Sequence, residues 1–232
     1  MDNEAVLAIA DMITRAGSRK SLFHFTRASN LLAIAAENTL GSSHWLDPGQ
    51  AGERRVQPES IRHQGYRITI NAHLRIAESM MEAGTTLEQF RAHLDRHVFF
   101  WPTRKDCQMM IDTYSRREPE EAFAVLELDA RSMFIANHSS VKLSKYDSGS
   151  SPRFPHRCSY RKSLAMFLPF QQFGTVTNPL VPAKPSEIKE VLMENKVTGI
   201  SSFLKALYVN HSDTLPENWR RLARPWVEWV EK

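Results

Sequence analysis

The chain has 232 residues, 42% hydrophobic, 24% charged and 9% aromatic, with 9 Gly and 12 Pro. This composition excludes disordered, collagenous and low-complexity proteins and points to one large domain, while a formal net charge of +4 excludes nothing by itself. The apolar runs Leu31 to Ala36 and Leu164 to Phe170 fall far short of the roughly 18 residues that span a bilayer, and acids at Asp2 and Glu4 stand where a secretory signal carries bases. A cytoplasmic protein with no membrane partner is expected. Cys107 and Cys158 lie outside any CxxC pair, which fits a reducing compartment and speaks against a structural metal.

Along the chain, residues 3–16 carry the apolar spacing of an amphipathic helix (Val6, Leu7, Ile9, Ala10, Ile13), stopped by Gly17. Alternation over residues 21–26 predicts a strand with Leu22, His24 and Thr26 on one face and Phe23 and Phe25 on the other. Thr26 or Ser29 then caps a helix through Leu31, Leu32 and Ile34. Residues 39–66, with Gly41, Pro48, Gly49, Gly52 and Pro58, read as one long irregular segment.

Tyr66 to Ile70 reads as a short strand and Ala72–Ala83 as a helix ended by Gly84; Thr85 with Glu88 forms a capping box for a helix to about Asp95. Val98 to Trp101 is a continuous apolar run bounded by Pro102, as in a strand buried on both faces, and Thr103 caps a helix from Arg104 to about Ser115. Further strands are expected at Ala122–Leu128, Leu164–Leu168 and Ala206–Val209. The tail from Pro216 is expected to be helical, interrupted at Pro225, with Trp219, Trp226 and Trp229 supplying packing mass. Strands mixed with helices, without regular βαβ alternation, predict a single α+β domain. It comprises an N-terminal helix over 1–18, a core over about 20–210 and a tail over about 214–232.

The segment 131–162 holds seven bases against one acid, interleaved with Phe134, Tyr146, Phe154 and Tyr160. It reads as a long basic loop able to track phosphates, through Lys142, Lys145, Arg153, Arg157 and Arg161, or as an ordinary solvated surface. No phosphate loop, GxGxxG, GxSxG or HExxH motif is present, so kinase, Rossmann and serine-hydrolase chemistry lose support. His93 and His97 have i, i+4 spacing but no third ligand nearby, and a surface pair is the better reading than a metal site. Glu187-Ile188-Lys189, with Asp129 upstream, matches the short end of a metal-dependent nuclease motif.

The stretch LFHFTRASNLLAIAAENTL (Leu22 to Leu40) runs strand, His-x-Thr, Asn-Leu, apolar helix and terminal leucine, and it resembles the opening of ADP-ribosyltransferase-like folds. The likeness is greatest to DarT-type DNA ADP-ribosyltransferase toxins. HVFFWP resembles an inner aromatic strand of that fold, and IKEVLMENKV its late strand bearing a glutamate.

The resemblance implies a mixed-sheet core with flanking helices, NAD as co-substrate and nucleic acid as acceptor. It also implies a toxin or phage-defence role with an antitoxin as partner. His24 would bond the ribose or nicotinamide side of NAD and Thr26 would support the same pocket; a satisfied core histidine is the alternative. Phe99, Phe100 or Trp101 would wall the nicotinamide, with Phe100 and Trp101 put forward. Glu190 would be the catalytic carboxylate if its segment is a strand, and a solvated residue if the Ile188, Val191, Leu192 spacing makes a helix. Arg55, Arg67 and Arg75 are candidates for the phosphate-side arginine, with Arg75 put forward. A non-catalytic nucleic-acid-binding or regulatory protein on this fold, and a metal-dependent nuclease, are the alternatives.

Overall fold

A computed structural model describes residues 3–149, 158–212 and 215–231 of the chain. Helix α1 (Asn3–Ile13) buries Val6, Ile9, Ala10 and Ile13, the single apolar face its spacing dictates. Strand β1 (Ser21–Arg27) leads to α2 (Leu31–Glu37), which ends where Asn38 adopts a left-handed backbone, φ 50°. Then come β2 (Thr39–Gly41), α3 (Ser43–Leu46), and a hairpin of β3 (Glu59–His63) and β4 (Tyr66–Ile70). The hairpin turns on Gln64 and Gly65, both at positive φ, the backbone of a two-residue turn whose twist matches the strands.

The middle of the chain forms α4 (Leu87–Asp95), β5 (His97–Phe100), α5 (Arg104–Arg117), β6 (Phe123–Asp129), α6 (Ala130–Asn137), β7 (Val141–Ser144) and β8 (Phe167–Pro169). The last part adds β9 (Glu190–Glu194), β10 (Lys196–Thr198), α7 (Ile200–Phe203), β11 (Leu204–Val209), α8 (Glu217–Arg220), β12 (Ala223–Pro225) and α9 (Val227–Val230). No helix among the described residues is long and apolar enough to cross a membrane.

Two four-stranded sheets organise these elements, one in the order β1-β6-β11-β12 and the other β5-β9-β7-β8. Their edge strands β1 and β5 adjoin, and Phe23 and Trp101 exchange backbone hydrogen bonds of 2.9 and 2.8 Å there. The aliphatic face, with Leu22, Leu126, Val191 and Met193, packs with Ile9 and Ile13 of α1 and Met133 and Phe134 of α6. The other face of the first sheet is aromatic: Phe23, Phe25, Phe123 and Tyr208 pack with Trp101, Trp229 and Met110 of α5. Removing such side chains from water contributes roughly 1.5–3 kcal/mol each, so both faces hold the strands that carry the site. The architecture is α+β, as expected.

Several local expectations need correction. Residues 72–77 are not helical; Ala72 is buried and Leu74 and Ile76 are half-buried, alternating with exposed Arg75 and Ala77, and only Glu78–Met80 makes one 3-10 turn. The backbone there is committed elsewhere, since His73 N–H donates to the Arg55 carbonyl at 2.9 Å. The capping box sits one residue later, on Thr86 and Gln89. The segment 131–162 is not one loop: Asp129 caps α6 through the Ser132 N–H at 2.9 Å, and β7 follows. Leu164–Met166 is a 3-10 turn before β8, and the tail is two short helices around β12, an edge strand where Pro225 needs no ladder N–H. Residues 39–66, expected irregular, contain α3 and the β3 strand.

Candidate active site

The register of the second sheet places Glu190 at the junction of the two sheets. The β5–β9 ladder ends with Phe100 opposite Val191, so Glu190 lies one step past it, toward Trp101 and the Phe23 bridge. Beside that junction is a cavity of about 220 Å³, lined by His24, Thr26, Arg55, Phe99, Trp101, Ser148 and Glu190 among others. The hairpin strand β4 and residues 71–76 form the facing wall, through Ile68, Ile70 and His73.

His24 reaches from β1 to β5, with Nδ1 2.8 Å from the Phe99 carbonyl oxygen. A carbonyl only accepts, so Nδ1 carries the proton and Nε2 keeps its lone pair. Burial pushes the imidazole down to about 4 against the opposing pull of that hydrogen bond, leaving a neutral ring at pH 7. Thr26, two residues on, accepts from Asn30 Nδ2 at 3.4 Å, and Asn30 Nδ2 and Oδ1 hold the Thr69 backbone at 3.0 and 2.8 Å. One asparagine thus joins β1 to the hairpin across the cavity.

Glu190 is on a strand, which resolves the helix alternative: β9 is central, paired to β5 on one side and β7 on the other. Its side chain is 1% exposed. Oε2 accepts from the Ser148 N–H at 3.0 Å and from Ser148 Oγ at 2.6 Å. Burial, with the charge of Asp147, raises the carboxyl well above the usual range, and the Ser148 bonds and Lys162 offset part of that rise. Lys162, fully buried, donates from Nζ to the carbonyls of Asp147 and Ser148 at 2.8 and 2.6 Å.

A third polar group comes from the segment expected to be structureless. Arg55 donates from Nη2 to Asp95 Oδ1 at 2.5 Å and from Nε to the Asn71 carbonyl at 3.3 Å. His73 accepts the Arg55 N–H at Nδ1, 3.0 Å, and donates from Nε2 to Asp95 Oδ1 at 2.9 Å. Burial opposes ionisation of Asp95, yet the bonds from His73 and Arg55 and the charge of Arg55 outweigh it and hold the carboxyl well below its ordinary value. Arg55 Nη1 makes no hydrogen bond among the described residues, so one edge of a fixed guanidinium is available to an anion in the cavity.

Of the expected site residues, the fold brings together His24, Thr26, Trp101 and Glu190. Phe100 does not join them; it is fully buried in the aliphatic core, its ring 5.5 Å from His24, and Phe99 takes the place on the cavity wall. Arg75 is exposed and off the cavity, whereas Arg55 lines it. Lys142 is half-buried in β7, where burial lowers its pKa, and Lys145 lies 3.7 Å from Glu187. Arg153 and Arg157 lie outside the described residues, and Arg161 is exposed. The nuclease constellation does not form: Asp129 is a helix cap and Lys189 pairs with Asp106 at 3.2 Å.

Asp95, His73, Ser148 and Lys162 were not singled out in the sequence. Asp95 had one visible signal, an acid in the last turn of a helix where the dipole favours bases.

Residues 20–204 match a family described as "Family of unknown function (DUF7002)". Two solved structures of DarT from Thermus sp. 2.9 are similar in fold. The complex with NAD+ is 12% identical, covering 85% of this chain and 85% of that one, with a TM-score of 0.39. The complex with carba-NAD+ is 13% identical, covering 90% and 95%, with a TM-score of 0.42. No curated protein matches the chain.

Proposed function

The chain belongs to the family of unknown function DUF7002, and from its site we propose that it transfers ADP-ribose from NAD to a nucleic acid, with Glu190 as catalytic residue. The observation that carries this is the convergence of Glu190, His24 and Arg55 on one cavity from three distant parts of the chain.

The side chains suit the parts of NAD. The Nε2 lone pair of His24 accepts from a ribose hydroxyl, Arg55 Nη1 suits the pyrophosphate, and Phe99 and Trp101 offer aromatic walls to the nicotinamide. The bond from ribose C1′ to the nicotinamide nitrogen breaks, and its electron pair leaves with neutral nicotinamide. Positive charge develops on the ribose, where an anionic Glu190 stabilises it. The acceptor then bonds to C1′ and gives its proton to Glu190. The cationic nicotinamide ring of the bound co-substrate favours ionisation of the carboxyl, against the burial that raises its proton affinity.

Nucleic acid as acceptor is supported by exposed Arg54, Arg62, Arg67 and Arg75, none of which forms an ion pair among the described residues. Arg62 faces Arg67 directly across the β3–β4 hairpin. Like charges so placed cost stability, which an anionic ligand would offset. The sequence resemblance adds a toxin or defence role in the cytoplasm, with an antitoxin as partner.

The test is purified protein with labelled NAD and separate DNA, RNA and protein pools. Nicotinamide release with label on a nucleic acid is the expected result. Label on protein would replace the acceptor, and NAD binding without any release would leave a non-catalytic binding protein.

A further inference from the structure

We propose that Ser148 is a positioning residue for Glu190 and that buried Lys162 sets Ser148 in place, an inference that rests on the transferase reading of Glu190. The chain leaves β7 at Ser144, directly opposite Glu190 in the ladder. Ser144 Oγ donates to the Tyr146 carbonyl at 2.7 Å and accepts the Tyr146 N–H at 3.3 Å, which turns the segment back over the Glu190 side chain. Ser148 arrives with both of its donors, N–H and Oγ–H, on the same carboxylate oxygen, Oε2. Oε1 receives no hydrogen bond among the described residues and is the oxygen left for the cavity.

Two donors on one oxygen fix the carboxylate only if the Ser148 backbone is itself fixed. Lys162 does this by taking the carbonyls on both sides of the Ser148 N–H, those of Asp147 and Ser148. Lys162 is anchored in turn. Its N–H donates to the Met80 carbonyl at 2.7 Å, its carbonyl accepts the Glu82 N–H at 2.8 Å, and its Nζ lies 5.7 Å from the Phe90 ring centre. An ammonium with no exposed surface is expensive, and an apolar side chain would fill the same space more cheaply. What the ammonium adds is a rigid pair of carbonyls, and hence an aimed serine. The ionisable groups around Glu190 are Asp147, Lys162 and Tyr160, and Cys158 also acts on Lys162.

The experiment compares Ser148→Ala, Ser148→Thr and Lys162→Met in the full chain, with two readouts. The first is the titration of the Glu190 carboxyl by carbon-13 NMR without NAD, with Glu190→Gln to assign the signal. Ser148→Ala and Lys162→Met should move its midpoint upward, because bonds that favour the carboxylate are lost, and Ser148→Thr should keep it near wild type. The second is nicotinamide release. Ser148→Ala should lower kcat by roughly 100-fold, as a misplaced catalytic group does, with KM for NAD unchanged, and Ser148→Thr should restore it.

A wild-type titration midpoint in Ser148→Ala overturns the proposal, as does wild-type kcat. If the wild-type protein releases no nicotinamide, the transferase reading falls, while the titration still decides whether Ser148 and Lys162 govern Glu190. Should Lys162→Met fail to fold, the Ser148 pair carries the decision.

Discussion

His24 donates from Nδ1 to the Phe99 carbonyl at 2.8 Å, tying the edge strand of one sheet to the edge strand of the other. The bond fixes both ring orientation and tautomer, so Nε2 is presented as an acceptor before any ligand arrives. His24→Ala removes that acceptor. NAD affinity measured by calorimetry should fall about tenfold, the worth of roughly one hydrogen bond. Unchanged affinity would return His24 to the role of a core histidine.

Glu190→Gln keeps shape and reach but removes the charge proposed to stabilise the ribose cation. Nicotinamide release should fall by roughly 100- to 1,000-fold while Tm and NAD binding stay near wild type. Glu187→Gln and Glu194→Gln are the controls. Glu187 pairs with Lys145 away from the cavity, and Glu194 is exposed at the other end of β9, opposite His97. Each should cost little. Full activity in Glu190→Gln would remove the catalytic assignment.

What was legible in the sequence was what depends on local periodicity. The alternation at 21–26 and the apolar run at 98–101 were enough to place β1 and β5, and Thr103 caps α5 as its position suggests, accepting the Asp106 N–H at 3.1 Å. Glu190 was ambiguous because the spacing of Ile188, Val191 and Leu192 fits a helix as well as a strand. The ambiguity is settled by pairing with β5 and β7, some 50 to 90 residues earlier in the chain. Arg55 stood among other arginines for the same reason: its partners, Asp95 and His73, are distant in sequence. A count of bases over 131–162 does not separate a half-buried strand lysine, such as Lys142, from a solvated one.

Asp95→Asn tests the buried polar group formed with Arg55 and His73 on the cavity wall. The Arg55 and Asp95 side chains are 6% and 2% exposed, and the substitution leaves a buried guanidinium without its counter-charge. Stability should fall by about 3 kcal/mol, as it does when one partner of a buried pair is removed. NAD affinity should fall with it, because Arg55 is no longer held. A change below about 0.5 kcal/mol in denaturant unfolding would mean that Arg55 is solvated instead.

Acid sensitivity offers a separate test of the packing behind the site. Burial first brings His93 and His97 down to about 3 and about 4, with the neighbouring His97 adding to the fall of His93 and Lys142 and Arg96 to both; burial alone accounts for the fall of His24 to about 4. An unfolded histidine titrates near 6.5, so between roughly pH 6.5 and 4 these histidines bind more protons in the unfolded chain than in the folded one. The histidines' contribution to stability is therefore whole above pH 6.5 and falls as the pH drops, by at most about 1.4 kcal/mol per pH unit for each histidine and by less for half-buried His93; the raised Glu190 carboxyl acts in the opposite sense over this range and is common to wild type and variant. Asp95, held below its ordinary value near 3.9, responds only at lower pH and does not blur this window. His93 Nε2 is buried without a hydrogen-bond partner among the described residues and its ring stacks on Phe167, centres 4.5 Å apart. His93→Phe keeps the stack and removes the unpaired nitrogen, so it should leave stability at pH 7.5 unchanged or raised and make the loss toward pH 4.5 shallower. Unfolding free energies measured across that range would decide it: parallel curves for wild type and His93→Phe would show that this histidine is not held neutral by the fold.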